Sequence, residues 1–196
     1  MYVKELWRYP VKSMKGEPLR EAELGLEGCV GDRLVHVENE RGFITARDHP
    51  GLLGLRATIG VDGEPLVEGH PWRHPRVDDL VKQAAGPTSH LTASGGAERF
   101  DVLPLLVATD GAIAAFGRDG RRLRANMVVG GVEGLAERTW EGLAMLVGPV
   151  LVHLDSLRRR CVMTTYDPDT LDKDVGVLRD IYHRFGGTLA LNAAVL

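Results

Sequence analysis

The 196-residue chain is short of several things that usually announce a function, and cysteine comes first: it has two, Cys29 and Cys161. So few thiols build neither a disulfide scaffold nor an all-cysteine zinc site, and they fit a reducing compartment. No eighteen apolar residues follow one another, so no stretch reads as a membrane-spanning helix. The start, Met1-Tyr2-Val3-Lys4-Glu5-Leu6, lacks a charged segment leading into an apolar run, and the expected location is cytoplasmic. With 24 basic and 27 acidic side chains the formal charge is −3, which argues against a general nucleic-acid binder. Neither nucleic acid nor a membrane is an expected partner. The glycine-rich dinucleotide turn, the phosphate loop ending in Gly-Lys-Ser/Thr, His-Glu-x-x-His and Gly-x-Ser-x-Gly are all missing. The commonest nucleotide, zinc-protease and serine-hydrolase readings therefore lack their parts.

What is present is an ordinary globular composition, 44% hydrophobic and 26% charged, enough for one large domain or two small ones with a core of their own. Short alternating or β-branched runs predict strands over 3–9, 19–24, 30–38 and 43–47. Leu53, Leu55, Ala57 and Ile59 alternate as a further strand, and Leu66-Val67 returns after Asp62-Gly63. Many short strands at this spacing favour a β-barrel or sandwich. Prolines between His70 and Pro75 break regular structure, so His70 and His74 cannot share one helix turn as a metal pair. Asp78 is placed to cap a short helix ending at Ala85, and Ser94-Gly95-Gly96 reads as a loop. The division between two subregions is expected around residues 86–97.

The second half predicts a buried strand over 102–108 and a helix from Asp110 to Phe116 capped by Thr109. A strand over 123–129 follows, then a hairpin of 143–147 and 150–154 about Gly148-Pro149. Val177, Leu178, Ile181, Tyr182 and Phe185 fall at helical spacing, which predicts an amphipathic helix over 174–185 before a last strand, 188–196.

Arg158-Arg159-Arg160-Cys161 stands out chemically. A thiol beside guanidinium groups loses its proton more easily because the thiolate gains Coulomb stabilisation, so Cys161 is a candidate catalytic nucleophile or soft metal ligand. The alternative is that Cys161 alternates into a strand interior while the arginines reach water. Lys12, Ser13, Arg33, Arg124, Asn126, Thr164 and Thr165 are hydroxyl, amide and cationic donors spread over both halves; if they converge they make an anion site, since arginine grips phosphate or carboxylate with two parallel hydrogen bonds. Each alone reads equally well as a solvated side chain.

In order, Tyr9-Pro10-Val11-Lys12-Ser13, Gly31-Asp32-Arg33, Phe43-Ile44-Thr45-Ala46-Arg47, Arg99-Phe100-Asp101, Leu123-Arg124-Ala125-Asn126 and Arg160-Cys161-Val162-Met163-Thr164-Thr165-Tyr166-Asp167-Pro168 resemble the MOSC family, the molybdenum cofactor sulfurase C-terminal domain, preceded by its N-terminal β-barrel module. The resemblance spans nearly the whole chain. It implies a mainly β fold of two closely packed modules, an N-terminal β-barrel over 1–90 and a distorted MOSC β-barrel with a few short helices over 91–196. It further implies a molybdopterin cofactor in a cleft between the modules. Its phosphate would be met by Lys12, Ser13, Arg33, Arg124 and Asn126, with Thr164 and Thr165 as weaker lining. Two-module members reduce N-hydroxylated small molecules with electrons from a partner protein, the cofactor carrying the redox chemistry.

The chain departs from the family pattern in places. Cys-x-Arg-Cys has become Arg158-Arg159-Arg160-Cys161, and His183-Arg184-Phe185-Gly186-Gly187, where a later thiolate ligand is expected, holds no cysteine. No metal ligand is assigned on this basis, and the family's terminal Gly-x-x-x-Gly-Asp segment is also missing, as in a truncated last strand. Two further functions stay open: a sulfur carrier that accepts a persulfide on Cys161 from a pyridoxal-phosphate-dependent desulfurase, and a non-catalytic member that binds an anion or a partner.

Overall fold

The computed structural model describes residues 1–96 and 99–196, and among them the chain is mainly β. The first half contributes β1 (Tyr2–Arg8), β2 (Glu17–Leu19), β3 (Leu24–Gly25), β4 (Gly28–Cys29), β5 (Val35–Asn39), β6 (Gly42–Ile44), β7 (Ala57–Ile59), β8 (Pro65–Val67), β9 (His70–Pro71), α1 (Pro75–Ala85) and β10 (His90–Ala93). The second contributes β11 (Leu105–Thr109), α2 (Asp110–Phe116), β12 (Met127–Gly130), β13 (Leu143–Val147), β14 (Val150–Arg159), α3 (Val175–Phe185) and β15 (Thr188–Val195).

A seven-stranded sheet in the order β13-β14-β15-β11-β12-β1-β2 dominates. Only β11 and β12 in it run parallel, and α2 lies on the crossover that a parallel pair requires. Its ladders end at β13 and β2, so the sheet is open, and smaller sheets β10-β5-β6, β7-β8-β9 and β3-β4 complete the architecture. All four residues of β12 are buried because it has a strand on either side and layers on both faces.

The two halves interlock. Although β1 and β2 come from the N-terminal half, β1 pairs antiparallel with β12 of the C-terminal half. Conversely Met163 and Tyr166 pack onto the first-half core of Val11, Met14, Val35, Val37 and Leu52, while Leu6 and Leu19 pack onto the second-half core of Leu105, Val107, Met127, Leu154 and Leu191. The segment leaving β1 is thereby set at the seam. The division expected at 90/91 falls inside β10, which pairs with β5 along its length; residue 97, the far end of the expected boundary, lies outside the described residues.

Several boundaries differ from the sequence reading for local reasons. Helix α1 starts at Pro75 rather than behind Asp78: proline's missing N–H costs nothing at the first helical position, and the His74 ring accepts from Arg76 N at 3.2 Å as the cap. Residues 50–54 form a 3₁₀ turn instead of extending β7, since Leu52 and Leu53 are both buried and an alternating strand cannot bury neighbours on one face. Left-handed backbone at Gly31, Arg33 and Arg124 delays β5 and β12 to Val35 and Met127. Strand β14 runs on through Arg159, so Cys161 lies beyond it, half-buried, opening a 3₁₀ turn over Val162–Thr165. Helices α2 and α3 match expectation, capped by Thr109 and Asp174. No helix among the described residues is long and apolar enough to cross a membrane.

The α2 cap carries an acidic group at a cost. Thr109 Oγ1 accepts from Ala112 N at 3.1 Å and donates to Oε2 of fully buried Glu137 at 3.2 Å, while Glu137 Oε1 has no partner. Burial raises the Glu137 carboxyl above its ordinary 4.5. A raised folded-state value means stability fully present below the unfolded value and lost as pH climbs through the folded one. Glu137→Gln is therefore expected to melt higher than the parent at pH 8, with the gap closing by pH 4; an unchanged gap between those pH values would show that Glu137 does not titrate with folding.

Candidate functional site

The turn after β1 is tied across the seam by Lys12 N to Val35 O and Arg33 N to Tyr9 O, both 2.8 Å. Three residues around that seam, Ser13 (φ 71°), Arg33 (φ 50°) and Arg124 (φ 56°), sit in left-handed backbone, half of the six non-glycine residues that do so among those described. An L-residue there costs roughly 1–2 kcal/mol. Glycine would remove that cost and the side chain with it, so strain retained at a serine and two arginines on one cleft marks those side chains as needed.

The cleft has about 570 Å³ of open space, and among the described residues five cations, Lys12, Arg33, Arg47, Arg124 and Arg158, line it against one carboxylate, Asp101. Asp101 acts as the hub: Lys12 Nζ lies 3.3 Å away, Arg47 2.6 Å and Arg158 2.9 Å. Burial would raise its carboxyl, but Lys12, Arg47 and Arg158 outweigh burial and hold it below the usual range, so it is ionised. Burial lowers Lys12, with Asp101 only partly compensating. Arg33 pairs with the fully buried Asp32, which also accepts from Tyr9 N at 2.6 Å.

Arg124 is different. Its guanidinium carbon lies 4.4 Å from the Tyr9 ring centroid and it has no ion pair or side-chain hydrogen bond among the described residues. Burial and then the positive charge of Arg33 push it down, with Tyr9, Asp32 and Asp101 partly opposing. Tyr9, which Arg33 also approaches at 5.4 Å, is raised by burial to about 12 and stays a neutral phenol, donating to Ala125 O at 3.3 Å. The result is a cleft with surplus positive charge and fixed donors, suited to a dianion.

Asp101 fills part of that demand itself. Asp101→Asn is expected to lower the stability of the ligand-free protein, on the order of 1 kcal/mol, by leaving three cations facing one another. The same variant should gain more stability from added inorganic phosphate than the parent does. Equal phosphate-dependent melting shifts would refute this competition.

Lys12, Ser13, Arg33, Arg124 and Asn126, predicted from sequence as an anion set, all line this one cleft. Asn126 also ties the site together, its side chain accepting from Leu106 N at 3.2 Å and donating to Trp7 O at 3.3 Å. Thr164 and Thr165 are placed otherwise: both are buried, and their hydroxyls donate to Cys161 O and Val162 O inside the 3₁₀ turn. They hold the turn that follows Cys161 and are not among the cleft's lining residues.

Sequence reasoning missed Arg47, Asp101 and Asn192 as lining residues. Arg47 and Asp101 were visible inside Phe43–Arg47 and Arg99-Phe100-Asp101 but looked like any surface charge; Asn192, paired with Ser156 and Arg158, is placed by β14–β15 register alone.

The two thiols divide cleanly. Cys29 is buried in the second-half core and burial raises it to about 11. Cys161 is half-buried, and its charge would act favourably on Arg47, a cleft residue. The 183–187 loop closes α3, with Arg184 donating to Ala115 O and Phe116 O of α2, and gives no residue to the cleft. No group of three or more His, Cys, Asp or Glu side chains able to hold a metal ion occurs among the described residues.

Residues 1–95 match the MOSC N-terminal beta barrel domain. The N-terminal half of the chain is thus a MOSC N-terminal beta barrel domain. Similar curated proteins include mitochondrial amidoxime reducing component 2 of Macaca fascicularis and of Homo sapiens, each 29% identical over 233 aligned positions that cover 86% of this chain and 67% of the relative. Mitochondrial amidoxime-reducing component 1 of Homo sapiens is 26% identical with the same coverage. The matched N-terminal barrel domain carries Lys12, Ser13, Arg33 and Arg47, so one wall of the cleft comes from that domain and the other from the C-terminal half.

Proposed function

We propose that this chain is a MOSC protein, binds a molybdopterin cofactor in the cleft and is an oxidoreductase that reduces N-hydroxylated compounds. The observation that carries this reading is the convergence of Lys12, Ser13, Arg33 and Arg124, from both halves, on a cleft beside a half-buried cysteine. The donor set fits the group. A phosphate would meet the partnerless guanidinium of Arg124 together with Arg33, Lys12 and Ser13, and Cys161, in the turn after β14, is the half-buried thiol that would serve a metal. When bound, such a cofactor supplies the redox chemistry; the chain's own residues bind its anionic end, orient it and shield it from water. Similarity to proteins named for amidoxime reduction supports the substrate class, and an electron-transfer protein completes the scheme. Two unpaired thiols support a cytoplasmic setting.

Pterin and molybdenum analysis of protein purified from a molybdenum-replete host, with reduction of benzamidoxime by an artificial electron donor, tests this. Bound pterin with turnover supports it; repeated absence of pterin sinks it. A mass gain of one sulfur on Cys161 in the presence of a cysteine desulfurase, lost in Cys161→Ala and without bound pterin, would instead establish sulfur carriage.

A further inference from the structure

Behind the Tyr9–Arg124 stack lies a second cleft, with about 910 Å³ of open space, which the cofactor reading does not use. It shares only Arg124 and Met163 with the first, so these two side chains form the partition. Aromatic rings of Trp7, Tyr9 and Tyr166 stand around it, and Leu53 and Met163 add apolar wall. Its cavity volume of about 290 Å³ is close to the lower end of small-molecule pockets.

Five cations and one carboxylate line this cleft, but most of that charge is already satisfied. Arg121 is held between Asp119 and Asp169, Lys15 lies 3.8 Å from Asp169, and Arg122 pairs with Asp167 at 2.9 Å while donating to Thr164 O. Two guanidiniums remain with neither an ion pair nor a side-chain hydrogen bond among the described residues, exposed Arg56 at the mouth and Arg124 at the partition. Aromatic walls take a planar ring by stacking, and unpaired guanidinium forks take a carboxylate with two parallel hydrogen bonds.

We infer that this second cleft is a binding site for a small aromatic carboxylate, seated with its ring among Trp7, Tyr9 and Tyr166 and its anionic group on Arg56 and Arg124. The site shares Arg124 with the first cleft and no other of its binding groups, so it is tested on protein free of the cofactor.

Trp7 provides the readout. Full-length protein free of pterin is titrated with 2-naphthoate, with 2-naphthalenemethanol as the uncharged control, following tryptophan emission in the parent and in Trp7→Phe. The expected result is saturable quenching, absent in Trp7→Phe, with a dissociation constant below about 1 mM. Affinity should fall roughly tenfold in Arg56→Gln and for the alcohol, and be unchanged in Arg47→Gln, which alters only the first cleft. Absence of saturation, equal affinity for the alcohol, indifference to Arg56→Gln, or an equal loss in Arg47→Gln would each overturn the assignment. Arg56 is exposed, so its variant folds as the parent does, and a null result here leaves the pterin analysis untouched.

Discussion

Replacing Cys161 by serine should lower N-hydroxyl reduction by about a thousandfold, some 4 kcal/mol of barrier at 1.36 kcal/mol per tenfold, while bound pterin falls only a few fold. The separation follows from where the two jobs sit. In the proposed function, anchoring would belong to the cation set at the β1 turn and around Arg124, whereas the soft donor would come from the turn after β14. Serine keeps the shape and removes the polarisable sulfur. The backbone is fixed without it: Cys161 is extended (φ −130°, ψ −179°), its carbonyl accepts from Thr164 N and Oγ1, and Arg160 N reaches Gly187 O at 2.9 Å. Turnover per bound pterin, measured with an artificial electron donor, is the relevant quantity. Cys29→Ser serves as the control because Cys29 lies in the second-half core and does not line the cleft, and its turnover per pterin should match the parent. If Cys161→Ser retained parental turnover, the thiol would have no place in the chemistry.

Much of the site was legible in sequence because its parts are rare in kind. Lysine-serine after a proline-stopped strand, Gly31-Asp32-Arg33 and Arg124-Ala125-Asn126 are polar insertions between apolar runs, and the fold gathers them. What the sequence does not display is the left-handed backbone at Ser13, Arg33 and Arg124, since these types rarely adopt it and only tertiary hydrogen bonds such as Arg33 N to Tyr9 O enforce it. That conformation also explains why strands expected over 30–38 and 123–129 begin late. Thr164 and Thr165 misled for a related reason: hydroxyls three and four residues from a half-buried cysteine suggest lining, but the 3₁₀ turn spends them on its own carbonyls. Helix α2 was readable to the residue and α3 to within one, because their caps, Thr109 and Asp174, are local devices. The pairing of β1 with β12, which makes one sheet of two halves, joins residues far apart in sequence and has no local signature.

Arg124→Gln should lose cofactor and gain stability at once. In the ligand-free protein the Arg124 guanidinium faces Arg33 across Tyr9, with no counter-charge of its own, and burial works against its charge. Glutamine removes the charge and keeps the left-handed backbone cost the same, so the ligand-free variant should melt higher than the parent. Binding moves the other way. A guanidinium fork on phosphate makes two charge-assisted hydrogen bonds of about 1.5–3 kcal/mol each, so affinity for the cofactor should drop by roughly a hundredfold or more. The stabilisation that inorganic phosphate gives the parent should largely vanish. Arg124→Lys restores the charge but neither the fork nor the flat face on Tyr9, so it should recover only part of the binding. Opposite signs for melting temperature and affinity separate this from simple unfolding, which would lower both. A variant that melted lower yet bound phosphate normally would make Arg124 a packing residue, and the cleft would have to hold its anion through Lys12 and Arg33 alone.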